Sequence, residues 1–259
     1  MLGPMEELFD MHCHLGFTPN PAAAAEAGQR AGIGALSCTV EPAEYERLSP
    51  LLTPCENVRL GLGAHPWWIA DGRISAQELE SFCAQAPTTS YIGEIGLDFS
   101  GARDAAESRM RQTQALERIL RACNKGAGEK LLSLHAVNAA SVVLDLLEEA
   151  DAFARHQVVF HWFSGTSGDM ARTVRAGGFF SVGPRMLASR RGRAYARQIP
   201  LDRLLLETDM PSRAGDPLPA GLWRAELGNA LAGLSQLKEL PTAEVAERLA
   251  ETSRRLLEL

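Results

Sequence analysis

Long apolar runs are missing from this chain of 259 residues. None approaches the ~20 consecutive residues that a membrane-crossing helix needs, so nothing in it reads as a spanning segment. Cysteine is sparse and odd in number: five residues (Cys13, Cys38, Cys55, Cys83, Cys123), widely scattered and without a Cys-x-x-Cys pair. That pattern excludes a disulfide framework and a thiolate zinc knuckle, and leaves reduced packing residues. A basic excess is lacking too, with 26 Lys and Arg against 32 Asp and Glu and a formal net charge of -6. Such a balance excludes a protein that coats nucleic acid by bulk charge. It does not exclude a nuclease, because bound metal ions can neutralise a scissile phosphate locally. Residues Met1 to Glu7 carry neither a basic n-region nor a long apolar h-region, so the expected location is cytoplasmic. Repeats, linkers and low-complexity blocks are also missing, and one domain over residues 1–259 is the simplest organisation.

What the chain does have is a regular alternation. Short apolar runs read as strands near Leu8 to His14, Ala35 to Val40, Arg59 to Ala64, Tyr91 to Ile95, Leu131 to His135, Val158 to Trp162, Phe179 to Val182 and Arg203 to Thr208. Helical patterns fall between them at Ala22 to Ala31, Glu44 to Leu52, Ala76 to Ala84, Ala105 to Cys123, Ala139 to Glu149, Gly168 to Ala176 and Ala188 to Gln198. Two terminal helices follow, Leu222 to Leu237 and Thr242 to Leu257, the second with an expected N-cap at Thr242. The strands are nearly continuous in hydrophobicity, as in a parallel sheet covered by helices. Eight strands with intervening helices predict an α/β fold, a (β/α)8 TIM barrel.

His12 and His14, one residue apart, close the first strand. In a strand, positions i and i+2 face the same way, so both imidazoles can reach one ion. Glu94, His135, His161 and Asp209 sit at the ends of other strands, where the C-terminal face of such a barrel gathers its active-site residues. Four imidazoles and two carboxylates exceed what one tetrahedral zinc requires and suit a pair of divalent ions. The expected arrangement has His12, His14 and Asp209 on one ion, His135 and His161 on the other, and Glu94 between them. Nitrogen and oxygen ligands without thiolate admit zinc, manganese or magnesium alike. Glu94 and Asp209 are the expected catalytic carboxylates, Asp209 orienting the attacking water or taking its proton.

The surroundings of these residues carry a family resemblance. Asp10-Met11-His12-Cys13-His14-Leu15, Gly63-Ala64-His65-Pro66, Ile92-Gly93-Glu94-Ile95-Gly96-Leu97-Asp98, Phe160-His161-Trp162-Phe163-Ser164-Gly165 and Ile199-Pro200-Leu201-Asp202-Arg203-Leu204-Leu205-Leu206-Glu207-Thr208-Asp209 together resemble the TatD family of metal-dependent hydrolases. The resemblance implies an amidohydrolase-type barrel, a two-metal site on the residues already named, and deoxyribonuclease activity, often exonucleolytic, with DNA as the first substrate class and RNA as the second. It also implies that His65 contacts phosphate. Arg185 opens a run with Arg190, Arg191, Arg193 and Arg197 that no acid interrupts, and it joins His65 as a candidate substrate contact. The stretch Phe180 to Leu187, with Phe160 to Phe163, is similar to the QatD branch of an anti-phage defence system, which would imply partner proteins of that system.

Two departures bear on substrate. The family usually carries Ser-Arg after its fifth-strand histidine, where this chain has Ala136 and Val137, and its Arg-Asn-Glu-Pro-like segment is not recognisable around Ser212 to Pro219. Two alternatives stand beside the nuclease, the first of them because of the missing Ser-Arg. One is a metal-dependent ester or amide hydrolase, such as an enzyme removing a D-amino acid from transfer RNA; the other is a non-catalytic metal-binding barrel within a complex. Asp98, four residues beyond Glu94, either supports a ligand histidine or caps the next helix. Glu207 is expected in a structural ion pair. Trp67 and Trp68 are expected to pack under a loop or to stack bases.

Overall fold

The computed structural model describes residues 7–259; residues 1–6, on which the leader expectation rests, lie outside them. Eight strands are found among the described residues: β1 (Leu8–Cys13), β2 (Ile33–Cys38), β3 (Val58–Gly61), β4 (Tyr91–Asp98), β5 (Leu131–Val137), β6 (Gln157–His161), β7 (Phe179–Val182) and β8 (Leu204–Leu206). The helices up to β5 are α1 (Pro21–Arg30), α2 (Pro42–Leu52), α3 (Pro66–Ala70), α4 (Ala76–Gln85) and α5 (Ala106–Cys123). After it come α6 (Ala140–Glu149), α7 (Ala152–Arg155), α8 (Ser167–Arg175), α9 (Pro184–Ala188), α10 (Arg190–Gln198), α11 (Ala220–Lys238) and α12 (Thr242–Leu257). The strand pairs β1 with β2, β4 with β5, β5 with β6 and β7 with β8 are all parallel. This is the (β/α)8 order that the alternation in the sequence led us to expect. The chain divides into two compact units, one drawn from Met1–Ser37, Arg47–Leu60 and Phe180–Leu259, the other from Cys38–Glu46 and Gly61–Phe179.

In the first unit every residue of β1 is buried, which is why its sequence reads as an unbroken run. The chain beyond β8 is stitched to β1 by two backbone bonds, Asp209 N–H to the His12 carbonyl (2.9 Å) and His14 N–H to the Met210 carbonyl (2.8 Å). Trp223 of α11 is fully buried, and a Cβ at Gly28 of α1 would lie 2.7 Å from its ring, so glycine there lets the helix approach the indole. Helix α12 buries Val245, Leu249 and Leu256 at helical spacing. Its N-cap is Pro241, with Thr242 already helical, so the expected cap is displaced by one residue. The expected helix over Ala188 to Gln198 instead begins at Arg190, because the Ser189 hydroxyl caps it by accepting the Gly192 N–H (2.8 Å).

In the second unit β4, β5 and β6 form consecutive parallel pairs, and Leu62 bridges to Ile92 of β4. Phe82, Ile119, Leu134, Val143 and Phe160 are buried without measurable exposure and form its core. Helices α4 and α8 open with reciprocal capping boxes, Ser75 with Glu78 and Thr166 with Asp169. Strand β4 runs three residues past the expected end at Ile95, and β5 two past His135. Gly96 explains the first difference. It looks like a strand terminator in the sequence, but its φ is 141° and a Cβ there would fall 2.0 Å from the His135 carbonyl oxygen. Glycine at this position therefore lets β4 and β5 continue together rather than ending β4.

Strand β8 is shorter than expected at both ends. Leu201–Arg203 form a 3-10 turn before it, and the chain after Leu206 leaves the ladder to reach Asp209 in the left-handed region, at φ 57°. No helix among the described residues is long and apolar enough to cross a membrane.

Candidate metal centre

The candidate residues fall into two clusters, one in each unit. In the first, His12, His14 and Asp209 bring ligand atoms within 4.8 Å of one another. The two imidazoles meet edge to face with centroids 5.1 Å apart, and His14 Nε2 lies 3.2 Å from Asp209 Oδ1. Arg185 of α9 donates to the other oxygen, Oδ2, at 3.1 Å. Asp209 is thus held between a histidine and an arginine, the latter largely exposed. Phe17 stacks on His14 at 5.0 Å and limits how that ring can turn.

Asp10 sets this geometry, and sequence reasoning passed over it. Fully buried in β1, its carboxylate accepts four hydrogen bonds: from the backbone N–H of His12 (3.2 Å), the N–H and hydroxyl of Thr208, and the indole of Trp223 (2.6 Å). It ties the strand bearing the histidines to the segment bearing Asp209. Burial raises its pKa to about 6, against the lowering effect of those donors. The available signal was a carboxylate inside an otherwise apolar strand, two residues before a histidine.

In the second cluster three imidazoles converge on one oxygen. Glu94 Oε1 lies 2.7 Å from His135 Nδ1, 2.9 Å from His161 Nε2 and 3.3 Å from His65 Nε2. All four side chains are buried. Asp98 grips the far side of His135, with Oδ2 at 2.9 Å from Nε2, and the same oxygen accepts the Trp67 indole N–H at 2.6 Å. Asp98 therefore supports a histidine, while its other oxygen closes the turn at Ser100. This arrangement orients His135 as second-layer carboxylates orient metal-ligating histidines.

The charges follow from these contacts. Burial alone would lower the His135 pKa, but hydrogen bonds and attraction from Asp98 and Glu94 outweigh it and raise the value to about 9. Burial would likewise raise the Asp98 carboxyl, yet the bonds from His135, Ser100 and Trp67 hold it well below the usual carboxylate range. His65 behaves differently: its Nδ1 accepts the backbone N–H of Trp67 at 3.1 Å, capping α3. The neutral ring must then carry its proton on Nε2, which makes it a hydrogen-bond donor toward Glu94. Distance alone would admit His65 among ion ligands, with Glu94 and His135; its tautomer favours donation to an anion.

Both donor sets are nitrogen and carboxylate oxygen, the chemistry of zinc, manganese and magnesium sites. Lone pairs that converge on one carboxylate oxygen need cations among them, either protons or a divalent ion, and the residues present fit the latter.

The other singled-out residues are placed as follows. The Ser181 hydroxyl donates to the buried carboxylate of Glu207. Trp67 is partly exposed, with the Arg103 guanidinium 4.5 Å from the centre of its ring. Ala136 is buried beside His135 and offers no donor.

The family model described as TatD related DNase matches residues 9–258. The chain belongs to the TatD family. It is a metal-dependent hydrolase acting on ester bonds. The TatD-family chain is 29% identical over 272 residues to a putative deoxyribonuclease TATDN3 of Mus musculus, covering 96% of this chain and 87% of the relative. It is also 29% identical over 153 residues to the 3'-5' ssDNA/RNA exonuclease TatD of Escherichia coli, with 58% of this chain and 56% of the relative covered. Among solved structures, the TatD homologue YJJV of Escherichia coli superposes with a TM-score of 0.80 at 24% identity, covering 99% of this chain and 100% of the other, and shows the fold.

Proposed function

We propose that this TatD-family hydrolase is a deoxyribonuclease that removes nucleotides from an end of single-stranded DNA, with two divalent ions. His12, His14 and Asp209 would hold one ion, and Glu94, His135 and His161 the other. The observation that carries the reading is the convergence of His135, His161 and His65 on Glu94 Oε1, braced by Asp98. The names of relatives, deoxyribonuclease and ssDNA/RNA exonuclease, point to the same substrate class. One continuous catalytic domain and a cytoplasmic setting, in which the free cysteines stay reduced, complete the proposal.

When bound, the ions supply Lewis acidity: they lower the pKa of water and neutralise phosphate charge. The chain's own groups do the rest. Asp98 keeps a proton on His135 Nε2, so that Nδ1, which faces Glu94, is the nitrogen that would offer a lone pair to an ion once its own proton is lost. His65 donates from Nε2 and can meet a phosphate oxygen. Asp209, held by His14 and Arg185, is placed to accept the proton of an attacking water. Arg185 can exchange its contact with Asp209 for one with the substrate phosphate.

A second reading, ester or amide hydrolysis, is favoured by one observation: Ala136 and Val137 end β5 beside His135 without a hydroxyl or guanidinium to hold a phosphodiester. The test is a panel of labelled single-stranded DNA, RNA, D-aminoacyl-tRNA and simple esters, presented to protein loaded with magnesium, manganese or zinc. DNA cleavage is expected, falling to background in Glu94→Ala and Asp209→Ala. If loaded wild-type protein leaves DNA and RNA intact while cleaving an acyl substrate, the nuclease reading fails.

A further inference from the structure

The surface of α9 and α10, in the same unit as the His12, His14 and Asp209 cluster, has an unusual charge distribution. Elsewhere exposed arginines mostly sit against carboxylates: Arg109 with Asp104, Arg111 with Glu107, Arg121 with Glu117, Arg248 with Glu244. Between residues 185 and 197 there are five arginines and no acid at all. All five are exposed.

The helix orders them. Gly192, Tyr195 and Ala196 turn inward, while Arg190, Arg193 and Arg197 recur at i, i+3 and i+7 on the outward face. At ~1.5 Å rise per residue the stripe is about 10 Å long, enough to meet two or three successive phosphates of one strand. The helix is fastened at both ends. Arg193 donates to the Leu187 and Ala188 carbonyls at 2.9 Å each, joining α10 to α9, and Lys238 of α11 donates to the Arg197 carbonyl at 3.0 Å. A Cβ at Gly192 would lie 2.0 Å from the Met186 carbonyl oxygen, so glycine is what lets α10 press against α9. Arg185, on α9, reaches Asp209 directly.

A row of guanidinium groups on a helix fastened to its neighbours, next in the chain to an arginine that contacts a candidate catalytic carboxylate, has the form of a track for a polyanion. We propose that α9 and α10 bind the sugar-phosphate backbone of the nucleic-acid strand whose end is being hydrolysed, with Arg190 and Arg197 as sequence-independent phosphate contacts and Arg185 as the contact nearest the reaction. This rests on the nuclease reading and adds where the uncleaved strand lies. A net charge of -6 makes the track local: the rest of the surface repels the strand and the stripe guides it.

The experiment measures binding apart from cleavage. Full-length protein in excess chelator is titrated with a fluorescein-labelled phosphorothioate 20-mer of single-stranded DNA, by anisotropy, from 50 to 200 mM salt. The double variant Arg190→Gln/Arg197→Gln spares Arg193 and its bonds to α9; thermal melting checks that it folds. Its affinity at 50 mM salt should fall about tenfold or more, and the slope of log affinity on log salt should shrink by about 1.4, at roughly 0.7 per phosphate for a single strand. The control Arg155→Gln/Arg248→Gln, exposed arginines already opposite carboxylates, should bind as wild type does. Equal affinity and slope in the stripe variant and wild type would overturn the track. So would loss of binding to anionic phosphatidylserine vesicles with DNA binding intact. Absence of DNA binding by wild-type protein both in chelator and with the metal restored would instead count against the nuclease reading.

Discussion

The two histidine clusters are built from the same residue types on opposite plans. The His12, His14 and Asp209 cluster has its charge organised from behind, by a buried aspartate that fastens one strand to the segment after another. The Glu94, His135 and His161 cluster is organised from within, by a chain running Trp67, Asp98, His135, Glu94. In the first, geometry comes from backbone pairing, with Asp209 N–H on the His12 carbonyl. In the second it comes from side chains gripping side chains. The first plan should tolerate a change of protonation and depend on stability; the second should be sensitive to every proton.

The sharpest way to break the second plan without touching a ligand is Asp98→Asn. It removes the negative charge and leaves one accepting oxygen where His135, Trp67 and Ser100 now share two, so the His135 tautomer is no longer fixed, and metal affinity or activity should fall about 10- to 100-fold. Calorimetric metal titration should show one class of sites weakened and the other unchanged. Equal weakening of both would erase the distinction between the clusters.

Proton dependence comes next. With its pKa raised to about 9, the metal-free His135 is protonated at neutral pH and must lose that proton before Nδ1 can bind an ion. Affinity at this cluster should therefore climb from pH 7 to 9, by up to about tenfold per pH unit, with protons released on binding. Titration in buffers of different ionisation enthalpy measures that release. The sign for folding is the opposite: a histidine whose pKa is raised above 6.5 contributes stability below that value and loses it as pH rises through about 9.

A smaller effect is expected at Asp10. Asp10→Asn places an amide against donors that now meet a carboxylate, at a cost of about 1–3 kcal/mol for each donor left without an acceptor. The melting temperature should drop by about 2–4 °C per kcal/mol. Because the folded-state pKa is raised from 3.8 to about 6, the wild-type carboxylate lowers stability as pH climbs from 4 to 6, and the variant should lack that slope. Smallest of all is Arg185→Gln. An exposed charge contact, here between the Arg185 guanidinium and a substrate phosphate, contributes up to about 1 kcal/mol, so KM for DNA should rise by about fivefold at most.

The same contrast explains what the sequence made legible. His12 and His14 are two residues apart on one strand, and local periodicity is enough to group them. The order of strands and helices was equally plain, since buried strands leave unbroken apolar runs. Asp10 was not legible, because its importance lies in Thr208 and Trp223, more than 190 residues away along the chain. The full length of β4 was not legible, because a glycine within a strand can mark its end or a point of close approach, and only the neighbouring His135 carbonyl decides between them at Gly96. The donor role of His65 depends on a backbone N–H two residues on, which a list of ligand-type residues does not contain.

The central claim, that two histidine-carboxylate clusters carry ions for phosphodiester cleavage, meets its most direct test in one preparation. Ions are counted by elemental analysis, and nucleotide release from end-labelled single-stranded DNA is followed before chelation, after it, and after the metal is restored. Two ions per chain, with cleavage that stops on chelation and returns with the metal, is the expected result. Intact DNA in the presence of protein carrying both ions would contradict it.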